Sequence, residues 1–219
     1  RNELLCRVKT KYFVLNDDDF IYDQRTWLRW MYDRLERTDI ELLGGMVYDV
    51  NRVQWPDLKG VPVTSGIRKT AKTAIDAWNI IVRNQRESPL HFFGNIDVEN
   101  GTVHLKHIPL NQPMMRCDFT LNFFMADTEA IRRKTGGWDP KLKLSEHWEF
   151  FYRAKLAGLQ VAMTGESGCL HKSIPGSAVY SNYRKRDREE GTFHRIGLSK
   201  HGFRRLILNG YHAYNMEKS

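Results

Sequence analysis

Lys11-Tyr-Phe-Val-Leu-Asn-Asp-Asp-Asp-Phe-Ile-Tyr22 is the stretch on which the fold prediction depends. Its first half, Tyr12 to Leu15, is aromatic or aliphatic, and such a run is typical of a short strand buried in the middle of a sheet. The run ends abruptly at Asn16 and three consecutive aspartates, and it becomes apolar again at Phe20. The sequence therefore predicts a buried strand that carries acidic side chains at its carboxyl end.

The three aspartates favour a cation site. Because side chains alternate along a strand, Asp17 and Asp19 would point to one side and Asp18 to the other. Carboxylates at this end of a strand lie where open α/β sheets bind their ligands, and they are costly there unless a positive charge neutralises them. A hard divalent cation, Mg2+ or Mn2+, that also binds substrate phosphates would do so. The alternative is that an aspartate caps the following helix near Gln24.

The composition is that of a globular domain with an excess of positive charge. The 219 residues are enough for one substantial domain, and we expect residues 1–219 to form one. The net charge of +8 predicts attraction to polyanions, anionic membrane surfaces or phosphorylated ligands. No nucleic-acid-binding motif accompanies the charge, so nucleic acid is not an expected partner. The three cysteines lack the CxxC spacing of a zinc site.

The segment after the aspartates predicts the next two elements of the fold. Residues 24–36 have helical spacing, and residues 40–50 form an apolar run typical of a second buried strand. A strand–helix–strand unit of this kind usually forms a right-handed parallel crossover. Gly44 and Gly45 inside the second strand indicate a bulge or a close approach of the backbone to a ligand.

The middle and the end of the chain indicate a mixed α/β fold. Residues 91–110 predict a β-hairpin, because Asn100-Gly101 favours the tight turn between antiparallel strands. A short helix is expected over residues 70–82. From residue 173 onward the chain is polar and basic, and we expect a partly helical tail over 173–219 that ends in an amphipathic helix near residues 200–214. A parallel first half with an antiparallel insert is typical of mixed α/β domains.

A second acidic cluster lies at the start of another predicted helix. Ser145 would cap a helix that runs to Ala157. Glu146 and Glu149, three residues apart, would share one face of it, and His147 lies between them. A carboxylate or imidazole in this position would be able to take a proton from an attacking hydroxyl. The alternative is that the acidic side chains only interact with the helix dipole.

Three further features admit both a functional and a structural interpretation. His171 follows a predicted strand and would complete an aspartate-based metal site, or it is a structural histidine. Trp138 lies in the turn before the acidic helix and would stack on a saccharide or belong to the core. A basic run would clamp a diphosphate or form a solvated helix face; its members are Arg184, Lys185, Arg186 and Arg188.

In this order the motifs resemble the GT-A glycosyltransferases, in particular the β-1,4-N-acetylgalactosaminyltransferases of the ganglioside-synthesising type. The resemblance runs from Arg1 to about Ser173 and weakens afterwards. The strand that ends in three aspartates, the L-x-G-G strand and the H-x-E-F-F helix start are among the shared motifs. The matching stretches are residues 16–20, 35–47, 118–126, 138–142 and 147–151.

The resemblance implies a GT-A-like mixed sheet flanked by helices and a metal-dependent transferase. The reaction would move a hexosamine, GalNAc, from a UDP-sugar to a hydroxyl of an acceptor glycan on a glycolipid or glycoprotein, with inversion. The residues that the resemblance expects to bind the donor are Asp17, Asp18, Asp118 and Asn122. Those that it expects to hold Mn2+, or Mg2+, are Asp17, Asp19 and His171.

The resemblance leaves the catalytic base open among Glu149, His147 and Glu146, with Glu149 slightly preferred. It also implies the Golgi lumen as location, within a single-pass type II membrane protein. We expect residues 1–219 to be the catalytic C-terminal portion of such a protein. The membrane anchor and the N-terminal nucleotide-binding strands of the sheet would then lie outside this sequence.

Two other functions compete with the transferase. An aspartate-based phosphatase would use Asp17 and Asp19 as nucleophile and acid, but it needs a later lysine and a second acidic pair at another strand end. Residues after Leu159 do not supply that pair. A non-catalytic carbohydrate-binding module or degenerate homologue would use the aromatic residues and the positive charge without turnover.

Overall fold

A computed structural model describes residues 1–49, 88–90, 92–172, 178–209 and 212–216 of the chain. The helices are α1 (Asn2–Arg7), α2 (Leu28–Arg37), α3 (Thr128–Thr135), α4 (Glu146–Leu156), α5 (Ala178–Glu190) and α6 (Thr192–Lys200). The strands are β1 (Tyr12–Leu15), β2 (Phe20–Ile21), β3 (Leu42–Asp49), β4 (Ser88–Pro89), β5 (Gly94–Glu99), β6 (Thr102–His107), β7 (Met114–Arg116), β8 (Phe124–Asp127), β9 (Val161–His171), β10 (Arg205–Leu208) and β11 (His212–Asn215). The helix predicted over residues 70–82 lies outside the described residues.

The larger sheet is mixed and has the order β1-β8-β3-β9-β2, with β4 added to β3 and β7 to β9. Strand β8 is antiparallel to both β1 and β3, so β1 and β3 run parallel to each other but are not neighbours. Strands β3 and β9 are parallel neighbours. The prediction of a mixed sheet flanked by helices is confirmed. The expected parallel strand–helix–strand unit from β1 to β3 is present, with β8, from much later in the chain, paired between the two strands.

Helix α2 covers one face of this sheet with the apolar stripe that the sequence predicts. Met31 and Leu35 are buried against the sheet, whereas Trp27, placed in the same stripe by the spacing, is exposed. The helix begins at Leu28 rather than at residue 24. Its start is fixed instead by the Trp27 backbone N–H, which donates to the Ser167 hydroxyl at 2.9 Å.

The paired glycines in β3 form the predicted bulge. The register between β3 and β9 shifts between Gly44 and Met46. At this point the Gly45 N–H donates to the Phe123 carbonyl at 2.9 Å. A Cβ on Gly45 would meet the Phe123 ring and would lie 2.8 Å from the Ser167 carbonyl oxygen. Glycine is thus required here by the close approach of the segment that precedes β8.

The second sheet has the order β11-β10-β6-β5 and contains the predicted hairpin. Asn100 (φ 49°) and Gly101 (φ 72°) form its turn, both in the left-handed region that this turn type needs. The amphipathic helix predicted near residues 200–214 is wrong. Helix α6 ends at Lys200, and β10 pairs parallel with β6 beginning at Arg205. Phe203 and Leu206 are buried, so the tail packs on the hairpin and contributes to the core.

Helix α4 carries the second acidic cluster and is packed into the core by its aromatic residues. Trp148, Phe150 and Phe151 are all buried. The predicted helix is confirmed: Ser145 is its N-terminal cap residue and Ala157 its C-terminal one. Ser145 is in the left-handed conformation, and its side chain makes no capping hydrogen bond. Within the described ranges, no helix combines the length and the hydropathy that crossing a bilayer requires.

Candidate active site

Asp19 and His171 lie together at the carboxyl end of β9. Strand β2 pairs antiparallel with β9 so that Phe20 is opposite His171, and this register places the preceding Asp19 beside the imidazole. The distance from Asp19 Oδ2 to His171 Nε2 is 3.2 Å. The Lys172 N–H donates to the Asp19 carbonyl oxygen at 3.0 Å, which fixes the backbone on both sides. The structure thus joins two of the three predicted metal-site residues.

Asp17 is held by a buried amide rather than by the histidine. Asn122 Nδ2 lies 2.9 Å and 3.1 Å from the two carboxylate oxygens of Asp17. Arg1 Nη2 lies 3.3 Å from the same carboxylate. The side chain of Asp18 is exposed, whereas Asp17 and Asp19 are half-buried, and all three lie in the turn between β1 and β2. Two of the predicted donor-binding residues, Asp17 and Asn122, therefore form one unit.

Asp19 and His171 have the donor types that a hard divalent cation accepts. In the described part of the chain, no group of three His, Cys, Asp or Glu side chains is arranged to hold a metal ion. The third predicted ligand, Asp17, is instead bound by Asn122 and Arg1. A carboxylate and an imidazole still fit Mg2+ or Mn2+, because such ions are often held by one or two protein ligands together with substrate phosphates and water.

Glu149, the preferred candidate for the base, is enclosed in a cationic network. Its side chain has 0% exposure and accepts hydrogen bonds from Arg153 Nε at 2.8 Å and Lys200 Nζ at 2.7 Å. His201 Nε2 lies 3.1 Å from the same carboxylate. Burial by itself would raise the pKa of Glu149, but the hydrogen bonds from Arg153 and Lys200 outweigh it and lower this pKa below its ordinary value.

The surroundings of Glu149 favour a structural role over the role of the base. A general base must reach the proton that it abstracts, and Glu149 is closed off from solvent and saturated with donors. Its role in this geometry is to tie α4 to α6 through Lys200 and to the preceding turn through Arg153, which also donates to the Gly137 carbonyl at 2.9 Å.

The other two candidates, Glu146 and His147, lie beside each other, and Glu146 is linked to the aspartate site through Arg1. Arg1 contacts the Glu146 carboxylate with one nitrogen and Asp17 with the other, and so links α4 to the triplet. His147 Nδ1 lies 3.4 Å from Glu146 Oε1. Burial would raise the pKa of Glu146, but the contacts with His147 and Arg1 outweigh burial and lower it to about 2. Glu146 is thus a fixed anion beside an accessible imidazole.

Asp118 and Trp138 have structural surroundings. Asp118 Oδ2 accepts hydrogen bonds from the Ile96 N–H at 2.8 Å and from Lys155 Nζ at 2.7 Å, so this carboxylate ties the hairpin to α4. The donor-binding role that the resemblance implies for Asp118 stays a prediction. Trp138 is buried and stacks on Phe150 with ring centroids 4.7 Å apart, which favours the core over saccharide stacking.

The C-terminal tail forms part of a groove and carries a basic helix, α5. The groove, of about 890 Å³, lies between the turn that contains Trp138 and helix α6. Cationic side chains dominate its polar lining, namely those of Lys141, Arg153, Arg195 and Lys200. Of the predicted basic run, Arg184 and Lys185 are exposed on α5, and the side chains of Arg186 and Arg188 lie outside the described set.

Asp49 is a site residue that the sequence did not indicate. It is the last residue of β3, and the parallel register places it beside His171 on β9. Asp49 Oδ1 lies 3.8 Å from His171 Nδ1. In the sequence Asp49 is a single acidic residue at the end of an apolar run, and only the strand pairing brings it to the site.

Comparison with known proteins places the chain near one group of enzymes. It is 28% identical over 215 residues to β-1,4 N-acetylgalactosaminyltransferase 1 of Rattus norvegicus, an alignment that covers 92% of this chain and 35% of that protein. The human protein of that name is also 28% identical, with the same coverage. β-1,4 N-acetylgalactosaminyltransferase 2 of Mus musculus is 28% identical over 69% of this chain and 23% of its own length. The chain is a distant relative of these transferases and spans about a third of their length.

Two other comparisons add little to this relationship. No protein-family model matches the chain. A solved structure described as a crystal structure of a mycobacterial protein aligns with a TM-score of 0.38 at 12% identity, covering 80% of this chain and 43% of that one.

Proposed function

We propose that this chain is the catalytic portion of a metal-dependent glycosyltransferase that moves a hexosamine, GalNAc, from a UDP-sugar to a hydroxyl of an acceptor glycan. The acceptor would belong to a glycolipid or a glycoprotein, and the anomeric configuration would be inverted. The relatives named as N-acetylgalactosaminyltransferases support the reaction class, since the similarity extends over 92% of the chain.

The contact between Asp19 and His171 is the observation that carries the proposal. The two residues are 152 positions apart, and their side chains meet at 3.2 Å at adjoining strand ends. A structural ion pair between two half-exposed side chains contributes little to stability. A divalent cation bound by Asp19 and His171 would explain their contact better than a structural ion pair does.

Mn2+, or Mg2+, would be held by Asp19 and His171, with the donor diphosphate completing its ligands. When bound, such an ion stabilises the negative charge that develops on the departing UDP. Asp17, oriented by Asn122 and Arg1, would accept hydrogen bonds from hydroxyls of the donor. Asp18, exposed at the same turn, would lie at the rim of the donor site.

His147 is the base that we propose. Imidazole is the side chain most often used for general-base catalysis, and Glu146, 3.4 Å from Nδ1, would orient the ring and stabilise it once it is protonated. The acceptor oxygen forms a bond to the anomeric carbon as the bond from that carbon to the UDP oxygen breaks. The proton of the acceptor hydroxyl passes to His147, and the electron pair of the broken bond leaves with UDP.

The groove between the Trp138 turn and α6 is the acceptor site that we propose. Its lining includes Trp138, whose ring lies 5.7 Å from the Arg1 guanidinium, and Arg1 contacts Glu146, which precedes the proposed base in the chain. The Golgi lumen is the location that we propose, with attachment to the membrane through a segment outside this sequence.

A UDP-release assay on the full-length protein tests the reaction class. We expect release of UDP from one member of a panel of UDP-hexosamines and UDP-hexoses with Mn2+, and none when EDTA is added. The matched control is Asp39→Asn, because Asp39 is an exposed carboxylate paired with Arg116 away from the site; it should leave release unchanged. A folded protein that neither binds UDP nor releases it would instead be a carbohydrate-binding or degenerate homologue.

The role of His147 has its own test. We expect His147→Asn to lower kcat by a factor of about 10² to 10⁴, the usual contribution of a general base. The affinity for UDP and Mn2+ should stay within about twofold, since His147 does not contact Asp19 or Asp17. An unchanged kcat for His147→Asn, together with its loss in Glu146→Gln, would assign the base to Glu146.

A further inference from the structure

We propose that Asp49 is a positioning residue that orients His171 toward the metal site. This inference rests on the proposed function, because it assigns a role to Asp49 within the metal-dependent donor site. It adds a residue from a third strand to a site that the sequence confines to the acidic triplet and the late histidine.

Three strand ends converge on the His171 ring. Strand β2 places Phe20 opposite His171, and strand β3 places Asp49 beside it. The Phe20 ring packs edge-on against the imidazole with centroids 5.7 Å apart. Phe20 therefore limits rotation of the ring, while carboxylates from the two neighbouring strands approach its two nitrogen atoms.

The two carboxylates approach opposite nitrogens of the imidazole. Asp19 Oδ2 lies 3.2 Å from Nε2, and Asp49 Oδ1 lies 3.8 Å from Nδ1. The Asp49 side chain is 14% exposed and the Asp19 side chain 28%, so Asp49 is the more enclosed of the two. An ion bound to Nε2 would lie on the Asp19 side of the ring, which makes Asp49 a partner of the histidine and not a ligand.

Metal-binding histidines commonly have a carboxylate beside the ring nitrogen that does not bind the ion. A histidine ligand usually donates its second ring N–H to a carboxylate or carbonyl, which fixes the ring and directs the other nitrogen to the ion. At 3.8 Å the Asp49 contact is an ion-pair distance, longer than a hydrogen bond of about 3 Å. With an ion at Nε2, the ring proton would be on Nδ1, the nitrogen that lies 3.8 Å from the Asp49 carboxylate.

Manganese affinity in the presence of UDP tests this role without relying on turnover. Free Mn2+ is measured by electron paramagnetic resonance during titration of the full-length protein with saturating UDP. We expect Asp49→Ala to weaken Mn2+ binding by roughly 10- to 100-fold, the usual effect of removing such a partner. Asp49→Asn, which keeps an oxygen acceptor, should lose less, and Asp39→Asn should lose nothing.

A double-mutant comparison shows whether Asp49 acts through His171. If it does, Asp49→Ala should have no further effect once His171→Ala is present. Equal losses in the two backgrounds would overturn the inference, because Asp49 would then act independently of the ring. Asp49→Asn, nearly isosteric, gives the same test if Asp49→Ala does not fold.

Tight Mn2+ binding by the wild type that neither Asp49 variant alters would overturn this inference alone. Absence of Mn2+ binding by the folded wild type would overturn the proposed function too.

Discussion

Asp19 and Glu149 both belong to acidic motifs near the start of an element, yet their carboxylates have opposite surroundings. Asp19 is 28% exposed and meets His171 at the edge of the sheet. Glu149 is 0% exposed and is surrounded by Arg153, Lys200 and His201. The Asp19 carboxylate is accessible to a ligand, whereas the charge of Glu149 is balanced by cationic side chains of the protein.

The difference shows how two similar motifs divide between binding and stability. A buried ion pair adds little stability compared with an apolar pair of the same size, but removing one partner is strongly destabilising because the other charge is left buried and unpaired. A partly exposed carboxylate beside one imidazole contributes little to the fold, and this leaves it available to a cation. The three predictions below test this division, from the largest expected effect to the smallest.

Removing the Glu149 carboxylate should give the largest loss of stability. Glu149→Ala would leave the Arg153 and Lys200 charges without their buried partner, and we expect a loss of about 3–5 kcal/mol in the free energy of unfolding. Urea denaturation followed by circular dichroism measures it. The control is Glu129→Ala, whose exposed pair with Arg132 should contribute at most about 1 kcal/mol.

The pH dependence of stability sharpens this prediction. The pKa of Glu149 in the folded protein lies below its ordinary value of 4.5. Its contribution is therefore complete above pH 4.5 and is lost as the pH falls through the lower pKa of the folded state. We expect the stability difference between the wild type and Glu149→Gln to shrink over that interval. A difference that stays constant down to the acid unfolding of the protein would contradict the ionised network.

Asp19→Asn should have the converse effect, with a large change in binding and a small one in stability. We expect metal-dependent UDP affinity to fall by about 100-fold, equivalent to roughly 2.7 kcal/mol, because the carboxylate ligand is lost. The free energy of unfolding should change by less than about 1 kcal/mol. Calorimetric titration of UDP with and without Mn2+, together with urea denaturation, measures both. A variant with a much lower free energy of unfolding but normal UDP affinity would reverse the comparison.

Gly45→Ala should affect stability and binding together, by a smaller amount. The added methyl group would press on the Phe123 ring and the Ser167 carbonyl, and such overpacking costs about 1–3 kcal/mol. Because Phe123 adjoins Asn122, the partner of Asp17, UDP affinity should also decrease. Gly165→Ala is the control, since its nearest neighbour is the flexible end of Leu110 at 3.1 Å. If Gly45→Ala lowered stability with full UDP affinity, the bulge would not support the donor site.

Local patterns predicted most elements and the order of the motifs. The hairpin turn at Asn100-Gly101 and the bulge at Gly44-Gly45 follow from the backbone freedom of these residues. The tail was mispredicted because the pattern after Lys200 was taken for a helical stripe, while pairing with β6 makes it a strand. The position of β8 between β1 and β3 was not predicted, because a strand's partner depends on contacts far away in the chain.

The sequence by itself determined that acidic groups end one strand and begin one helix, and that a histidine ends a later strand. Only the tertiary structure decided which carboxylate is open, because burial and the number of cationic partners depend on residues distant in the chain. Lys200 and His201 contact Glu149 from more than fifty positions away. Asp49 reaches His171 only through the pairing of β3 with β9, since strand register fixes which side chains lie side by side.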